Sequence, residues 1–393
     1  VNSEPTLKIT DFHGLVNVLD ADTMPPGALT QADNVDVNDQ KKLRTREGYL
    51  SALSFSGITA HYQNDHHDRL FVIRNGTLSE IVDGPVANTL TTGMDPGETY
   101  WAESAGIVVV SNKAGFRRIS GHDEAPLAVP TPDQPEVSRI AGGLPAGRYQ
   151  VTVANIDATG RESPAPLPVV IDLEDGQGLS IGWPDDGYTR SVFASHANGD
   201  RMYLVTETDG GYNLLDDGAI GPSPLEIDQL GADGPPNPGG PVTIHDGCLY
   251  VAEHLPGQDM TALFRSRPYW WHLFDLEEFD PIPGRVELLD STPSGLIVGT
   301  DREIYAIPAD GSLVRLADYG VTAGPNNLAR IDKDTVAFWS ARGLCVGLPF
   351  ANLTEERVSL PPGLKAAVSL IERNGFKKIV VLTTIDGMAY NSH

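Results

Sequence analysis

Arg69-Leu70-Phe71-Val72-Ile73-Arg74-Asn75-Gly76-Thr77-Leu78-Ser79-Glu80-Ile81-Val82 reads as two short strands around a two-residue turn. Asn-Gly between apolar runs is a strong hairpin signal, because a type I′ turn needs positive φ at both central residues. The theme recurs along the chain. Tyr100-Trp101-Ala102-Glu103 leads through Ala105-Gly106 to Ile107-Val108-Val109-Val110, and Val242-Thr243-Ile244 passes Asp246-Gly247 to Leu249-Tyr250-Val251. Val286-Glu287-Leu288-Leu289 reaches Leu296-Ile297-Val298 through Ser294-Gly295, and Thr335-Val336-Ala337-Phe338-Trp339 reaches Leu344-Cys345-Val346 through Arg342-Gly343. Lys378-Ile379-Val380-Val381-Leu382 and Gly387-Met388-Ala389-Tyr390 close the series. From Tyr250 onward the repeat falls roughly every 40–50 residues, the spacing of propeller blades. The fold class read from this is all-β: a β-propeller of about six blades, each an antiparallel four-stranded sheet.

The rhythm breaks between two proline-rich stretches, Pro130-Thr131-Pro132-Asp133-Gln134-Pro135 and Gly234-Pro235-Pro236-Asn237-Pro238. Such punctuation marks domain borders, where few contacts are expected to cross. The residues between them have the length of a β-sandwich. Gly147-Arg148-Tyr149-Gln150-Val151-Thr152-Val153-Ala154 alternates apolar and polar side chains and runs into Asp157-Ala158-Thr159-Gly160-Arg161. This resembles a strand and turn of a fibronectin type III module, but it stands early in the segment where such a module has it late. The expected organisation is therefore propeller over 1–130, an inserted Ig-like sandwich over 131–240, and propeller again over 241–393. Leu364-Lys365-Ala366-Ala367-Val368-Ser369-Leu370 fits a short helix or a strand equally.

Lys and Arg number 28 against 53 Asp and Glu, a net charge of −25 over 393 residues. That sign opposes binding to phosphate backbones, which needs a basic surface. It suits an acidic wall past which DNA slides, or plain solubility. The two cysteines, Cys248 and Cys345, each stand in an apolar run and read as buried free thiols of a protein made in a reducing cytoplasm. Val1-Asn2-Ser3-Glu4-Pro5 has neither a basic nor an apolar signal region. No apolar run approaches the ~18 residues of a spanning helix, so no membrane span is expected.

Few residues suggest chemistry. Asp33, Asn34, Asp36, Asn38 and Asp39 space their oxygens like a calcium loop. Asp39 stands where such a loop needs glycine, and Thr45 stands where it needs glutamate. Asn34 and Asp36 are better read as fixing a turn. His61, His66 and His67 beside Asp65 and Asp68 read as an exposed polar loop, since adjacent strand residues face opposite ways. Ser340 near Gly343 and the Gly121-His122-Asp123 run hint at a hydrolase, but no nucleophile elbow is present. No cofactor and no enzymatic activity are expected. Phe264-Arg265-Ser266-Arg267-Pro268-Tyr269-Trp270-Trp271 is the densest aromatic and basic cluster. Arg265, Arg267, Tyr269, Trp270 and Trp271 are candidates for partner or glycan contact, because these side chains dominate binding hot spots. Inter-sheet packing is the alternative. Arg44 and Arg46, cations in an acidic chain, are candidates for assembly contacts.

One pattern points to a family. Phe12-x-Gly14-x-x-Asn17, Pro26-Gly27-Ala28-Leu29, Asp33-Asn34-Val35-Asp36 and Leu43-x-x-Arg46-x-Gly48-Tyr49 resemble the opening of the tail nozzle, or packaged-DNA stabilisation, proteins of short-tailed phages. Asp39-Gln40-Lys41-Lys42 departs from the glycine-bearing turn of that group. Leu263-Phe264-Arg265-Ser266-Arg267-Pro268, Gly295-Leu296-Ile297-Val298-Gly299-Thr300 and Phe338-Trp339-Ser340-Ala341-Arg342-Gly343-Leu344 resemble its blades, in the same order. The resemblance covers both propeller parts. It implies a structural virion protein of the phage tail, assembled in the host cytoplasm into a homo-oligomeric, six-fold ring. Its partners would be portal, adaptor and other tail proteins, and DNA would pass without specific binding. A tail-tip receptor- or glycan-binding propeller is the alternative reading, and a propeller glycosidase or lyase the third.

Overall fold

The structure is a computed structural model. It describes residues 11–392 except 21, 34, 39, 46–55, 65–67, 84–85, 226–228, 374–375 and 386–387. The fold is all-β. Among the described residues the only helical turns are two short 3-10 turns, Asp217–Ala219 and Pro256–Gln258, and no helix is long and apolar enough to cross a membrane. Leu364–Leu370 lies mostly in the strand Lys365–Arg373.

The repeating element is an antiparallel meander whose strands pair in chain order. Among the described residues six such sheets are present, numbered here as blades: blade 1 (58–92), blade 2 (99–126), blade 3 (242–283), blade 4 (286–317), blade 5 (329–352) and blade 6 (365–392). The first five have four strands each; blade 6 has three among the described residues. Leu7-Lys8-Ile9-Thr10, whose sequence reads as a strand that could complete the last blade, lies outside the described residues. The turns form as their sequences dictate. Asn75 and Gly76 take φ of 48° and 74°, Ala105 and Gly106 take 50° and 75°, and Asp246 and Gly247 take 47° and 77°. These are the paired positive values of a two-residue hairpin.

A second turn chemistry went unread in the sequence. Thr292 Oγ1 donates to the Gly295 carbonyl at 3.0 Å and accepts from Ser294 N at 3.3 Å. Ser340 Oγ donates to the Gly343 carbonyl at 2.8 Å and accepts from Arg342 N at 3.2 Å. The same hydroxyl-x-x-glycine device thus closes one hairpin in blade 4 and one in blade 5. It explains Ser340 as a turn-holding residue, fully buried.

The chain divides into two compact units: 1–92 with 256–261 and 282–393, and 93–255 with 262–281. In the first unit, blades 4 and 5 share a core of Leu288, Ile297, Ile304, Val321, Val336, Phe338 and Cys345. Blades 5 and 6 share Ala329, Ala337, Trp339, Ala366, Val368 and Val381. The strand Val336–Ser340 feeds both, because successive side chains point to opposite faces. Val336 and Phe338 face blade 4, while Ala337 and Trp339 face blade 6. A strand buried on both faces reads as a continuous apolar run, which is why no alternation marks it in the sequence.

The second unit holds blade 2, the inserted domain and most of blade 3. Blades 2 and 3 pack through Tyr100, Val109, Phe116, Leu249, Val251, Phe264 and Phe274. The insert is a seven-stranded sandwich. Glu136–Ala141, Gln177–Gly182 and Tyr212–Leu214 form one sheet, with Gln177–Gly182 central. Val169–Leu173, Gly147–Ile156, Thr189–Ser195 and Met202–Thr208 form the other, in that order. Tyr149, Val151, Val153, Leu179, Ile181, Val192 and Leu214 fill the space between them. Size and two-sheet packing match an Ig-like domain. Strand order does not: strands one, four and seven share a sheet here, whereas constant-type Ig domains put one, two, four and five together.

Phe338 is fully buried in the core shared by blades 4 and 5. Phe338→Ala is expected to lower unfolding stability by about 3–5 kcal/mol. Val314→Ala, on an exposed edge strand, should change it by less than about 0.5 kcal/mol. Denaturant midpoints compare the two.

Candidate functional site

The opening segment folds as a hydrogen-bonded loop that explains its own motif. His13 N donates to Gly27 O at 2.9 Å, Leu29 N to Gly14 O at 2.9 Å, and Val16 N to Leu29 O at 2.8 Å. Gly27 has φ of +86°, and a Cβ there would stand 2.0 Å from the Asp11 carbonyl oxygen, so only glycine fits. Asn17 clips the loop to a distant part of the chain. Its side chain accepts from Ser359 N at 2.7 Å and donates to Ser359 O at 3.0 Å, while its own N–H donates to Arg357 O at 2.9 Å. Motif residues thus serve backbone closure.

Arg44 is exposed on a two-stranded ribbon, Val35–Val37 with Leu43–Thr45, directly across from Asp36. Asp36 also holds Lys378 Nζ at 3.0 Å. Asp36 is therefore an ion-pair residue, and the turn is fixed instead by Asn38, whose Oδ1 accepts from Gln40 N and Lys42 N. Among the described residues no acidic, histidine or cysteine group is placed to hold a metal ion. Arg46, Asn34 and Asp39 lie outside the described residues, as do Asp65, His66 and His67.

Arg265, Arg267, Tyr269, Trp270 and Trp271 surround the hairpin joining Met260–Arg267 to Trp270–Pro283 in blade 3. They do not make one platform. Tyr269 is exposed, at 82 %, as is Arg265, and Tyr269 sits at φ of +64°. Its N–H donates to Gly247 O at 2.8 Å. Trp271 turns inward: its indole N–H donates to the same Gly247 oxygen at 2.8 Å, and its ring packs on the core of blades 2 and 3. Trp270 stacks on His272, with centroids 6.0 Å apart and planes 18° apart. Arg265 lies near the Tyr250 hydroxyl, and Arg267 pairs with Asp275 at 3.7 Å. The correction to a joint Trp270–Trp271 surface follows from the pleat, which sends sequence neighbours to opposite faces.

A polar constellation lies where the sandwich meets blades 2 and 3. Arg161 donates to Leu127 O at 2.8 Å and Pro126 O at 2.9 Å, and pairs with Asp157 at 2.6 Å. Asp157 Oδ1 also accepts from Thr159 N, Thr159 Oγ1 and Arg161 N. Burial works against its charge, yet these bonds hold its carboxyl below the usual range. His272, from blade 3, is buried and meets the Glu162 carbonyl at 2.8 Å. The Glu162 carboxylate accepts from Ser191 Oγ and, at 2.7 Å, from Gln229 Nε2. Asn155 Nδ2 reaches Pro130 O at 2.8 Å, and Asp233 bridges to Phe274. The expectation of sparse contacts at the proline-rich borders fails here. Backbone carbonyls left unpaired by prolines are good acceptors, and Arg161 and Asn155 take them.

An open groove of about 910 Å³ runs beside the outer strands of blades 4 and 5, lined among others by Arg315, Asp318, Tyr319, Asn352 and Arg357. Its charges are largely occupied within the chain. Arg342 lies 4.7 Å over the Tyr319 ring and pairs with Glu355 at 3.2 Å, and Arg315 pairs with Glu303 at 2.8 Å. Burial, with Cys345 and Glu355 nearby, pushes the Tyr319 hydroxyl up to about 12. The thiols Cys248 and Cys345 are both free and buried.

Tyr269→Gly relieves a left-handed conformation and removes no core contact, so the melting temperature should stay level or rise. Trp271→Ala removes a packed ring and one of the two hydrogen bonds to the Gly247 carbonyl. It should cost about 2–3 kcal/mol, less than the ~3–5 of a fully buried tryptophan. Thermal melts of the two variants check the contrast.

No protein-family model matches the chain, and no curated protein matches it. Among solved structures it is similar to PorZ, a surface component of the type-IX secretion system of Porphyromonas gingivalis, at 11 % identity and TM-score 0.24, covering 91 % of this chain. It is similar to BBS1N in complex with ARL6DN at 10 % identity and TM-score 0.33, covering 87 % of this chain and 93 % of that one. It is also similar to P. gingivalis dipeptidyl peptidase 4 at 12 % identity and TM-score 0.30, covering 86 % of this chain. The chain spans 57 % of the PorZ chain and 43 % of the peptidase chain. No role follows from likenesses this distant.

Proposed function

We propose that this chain is a structural component of a phage tail, a nozzle or distal head-to-tail connector subunit that acts by assembly. Copies join side to side into a six-fold ring in the host cytoplasm, the ring seats on portal, adaptor or other tail proteins, and DNA passes through it. The observation that carries the reading is the ordered motif set from Phe12 to Leu29 and onward into the blades. Its glycines and Asn17 close one loop onto residues 357–359. The net charge of −25 supports a channel wall that repels DNA. Head-to-tail contacts between identical subunits generate closed rings. Arg44, exposed beside Asp36, is a candidate for such a contact.

A second reading has one observation in its favour. Tyr269 holds an aromatic ring in solvent at a backbone angle that costs a non-glycine residue about 1 kcal/mol. That suits a receptor- or glycan-binding tip, with Arg265 beside the same hairpin.

Sedimentation velocity and negative-stain microscopy of the full chain separate the two. Rings with a mass several times that of one chain are expected, together with no retardation of duplex DNA at physiological salt. A strictly monomeric species at high concentration would sink the ring. Loss of host-cell adsorption on Tyr269→Ala, with no ring formed, would favour the tip.

A further inference from the structure

The joint between the sandwich and the blades contains a buried titratable group that the assembly reading does not use. His272 belongs to the strand Trp270–Pro283 of blade 3, is buried, and has one ring nitrogen 2.8 Å from the Glu162 carbonyl oxygen on the sandwich side. A carbonyl only accepts, so Nε2 carries the hydrogen and Nδ1 is the basic nitrogen. The Trp270 ring is stacked on it from the same strand. The charged groups acting on it come from both neighbours: Asp157 and Arg161 from the sandwich turn, and Arg118 from blade 2. The Glu162 carboxylate is engaged by Ser191 and Gln229. The imidazole thus contacts the Glu162 carbonyl and feels the charges of two guanidinium groups and one carboxylate.

We propose that this joint is a proton-operated latch: uptake of a proton from water by His272 Nδ1 loosens the sandwich from the blades. A third cation placed among Arg118, Arg161 and Asp157 is both desolvated and repelled. Burial pushes the imidazole below its ordinary value of 6.5, the Glu162 carbonyl and Asp157 oppose, and Arg161 and Arg118 add to the lowering. A released joint exposes the ring to water and returns it towards 6.5. The released state then binds more protons than the docked one at intermediate pH. Docking is at full strength above about 6.5 and weakens as pH falls from there towards the lower docked value. The inference does not depend on the ring reading, since it concerns a single chain.

Hydrogen exchange on the full chain tests it at about pH 7.5 and about pH 5, the range over which a histidine titrates, with intrinsic rates corrected. Amides of 157–163 and 270–274 should exchange at least tenfold faster at the lower pH, while 149–153 and 190–194 inside the sandwich hold their protection. His272→Gln keeps a donor for the Glu162 carbonyl and does not titrate, so it should abolish the pH effect. An unchanged wild-type joint, an equal loss of protection inside the sandwich, or the same acid response in His272→Gln overturns the proposal. If that variant does not fold, NMR titration of the wild-type imidazole decides. A midpoint below 6.5 in the docked chain supports the latch, and one at or above 6.5 overturns it.

Discussion

A blade of this protein cannot bury its own core. The strand Val336–Ser340 sends Val336 and Phe338 to one side and Ala337 and Trp339 to the other, and both sides are covered by other blades. An isolated meander would leave one face in water, so blades 4, 5 and 6 depend on one another. Blades 2 and 3 obey the same constraint through Val109, Phe264 and Phe274. Turn chemistry, register and the placing of the insert all serve it. The sandwich stands between the last strand of blade 2 and the first of blade 3, a connection that leaves their mutual packing intact.

The insert shows how a domain with a core of its own becomes fixed to such a stack. Arg161 spends its guanidinium on two carbonyls at the end of blade 2, and Asp157 compensates its charge. Asn155 and His272 add further bonds to backbone oxygens. These groups are polar and partly buried, so their geometry fixes orientation more than it adds stability. Within this unit the sandwich is an anchored body, and its anchor is made of groups that respond to charge.

Much of the blade architecture was legible because local sequence and tertiary demand agree. Asn75-Gly76 and Asp246-Gly247 announce their turns, and the apolar runs beside them announce buried strands. The joint was not legible, because Arg161 and Asn155 bond to main-chain oxygens 25 or more residues away, and carbonyls have no sequence signature. The aromatic run 269–271 misled for the opposite reason: adjacency in sequence hides the alternation of a strand. The Thr292 and Ser340 turns were within reach, since both show a hydroxyl three residues before a glycine at a strand end. The motif from Phe12 to Leu29 was visible as a pattern, but its physics, Gly27 against Asp11 and Asn17 against Ser359, needed three dimensions.

The Gly247 carbonyl receives both the Tyr269 amide and the Trp271 indole, and the Tyr269 ring lies where a Cβ at 247 would stand, 2.9 Å away. One turn oxygen therefore organises a hairpin more than twenty residues downstream. Sequence drift at this corner is unequal in consequence. Position 269 can exchange its side chain and rewrite the exposed surface without touching the core, whereas position 247 is locked by conformation, by space and by two bonds. Such a corner lets what the blade displays vary while the blade itself stays as it is.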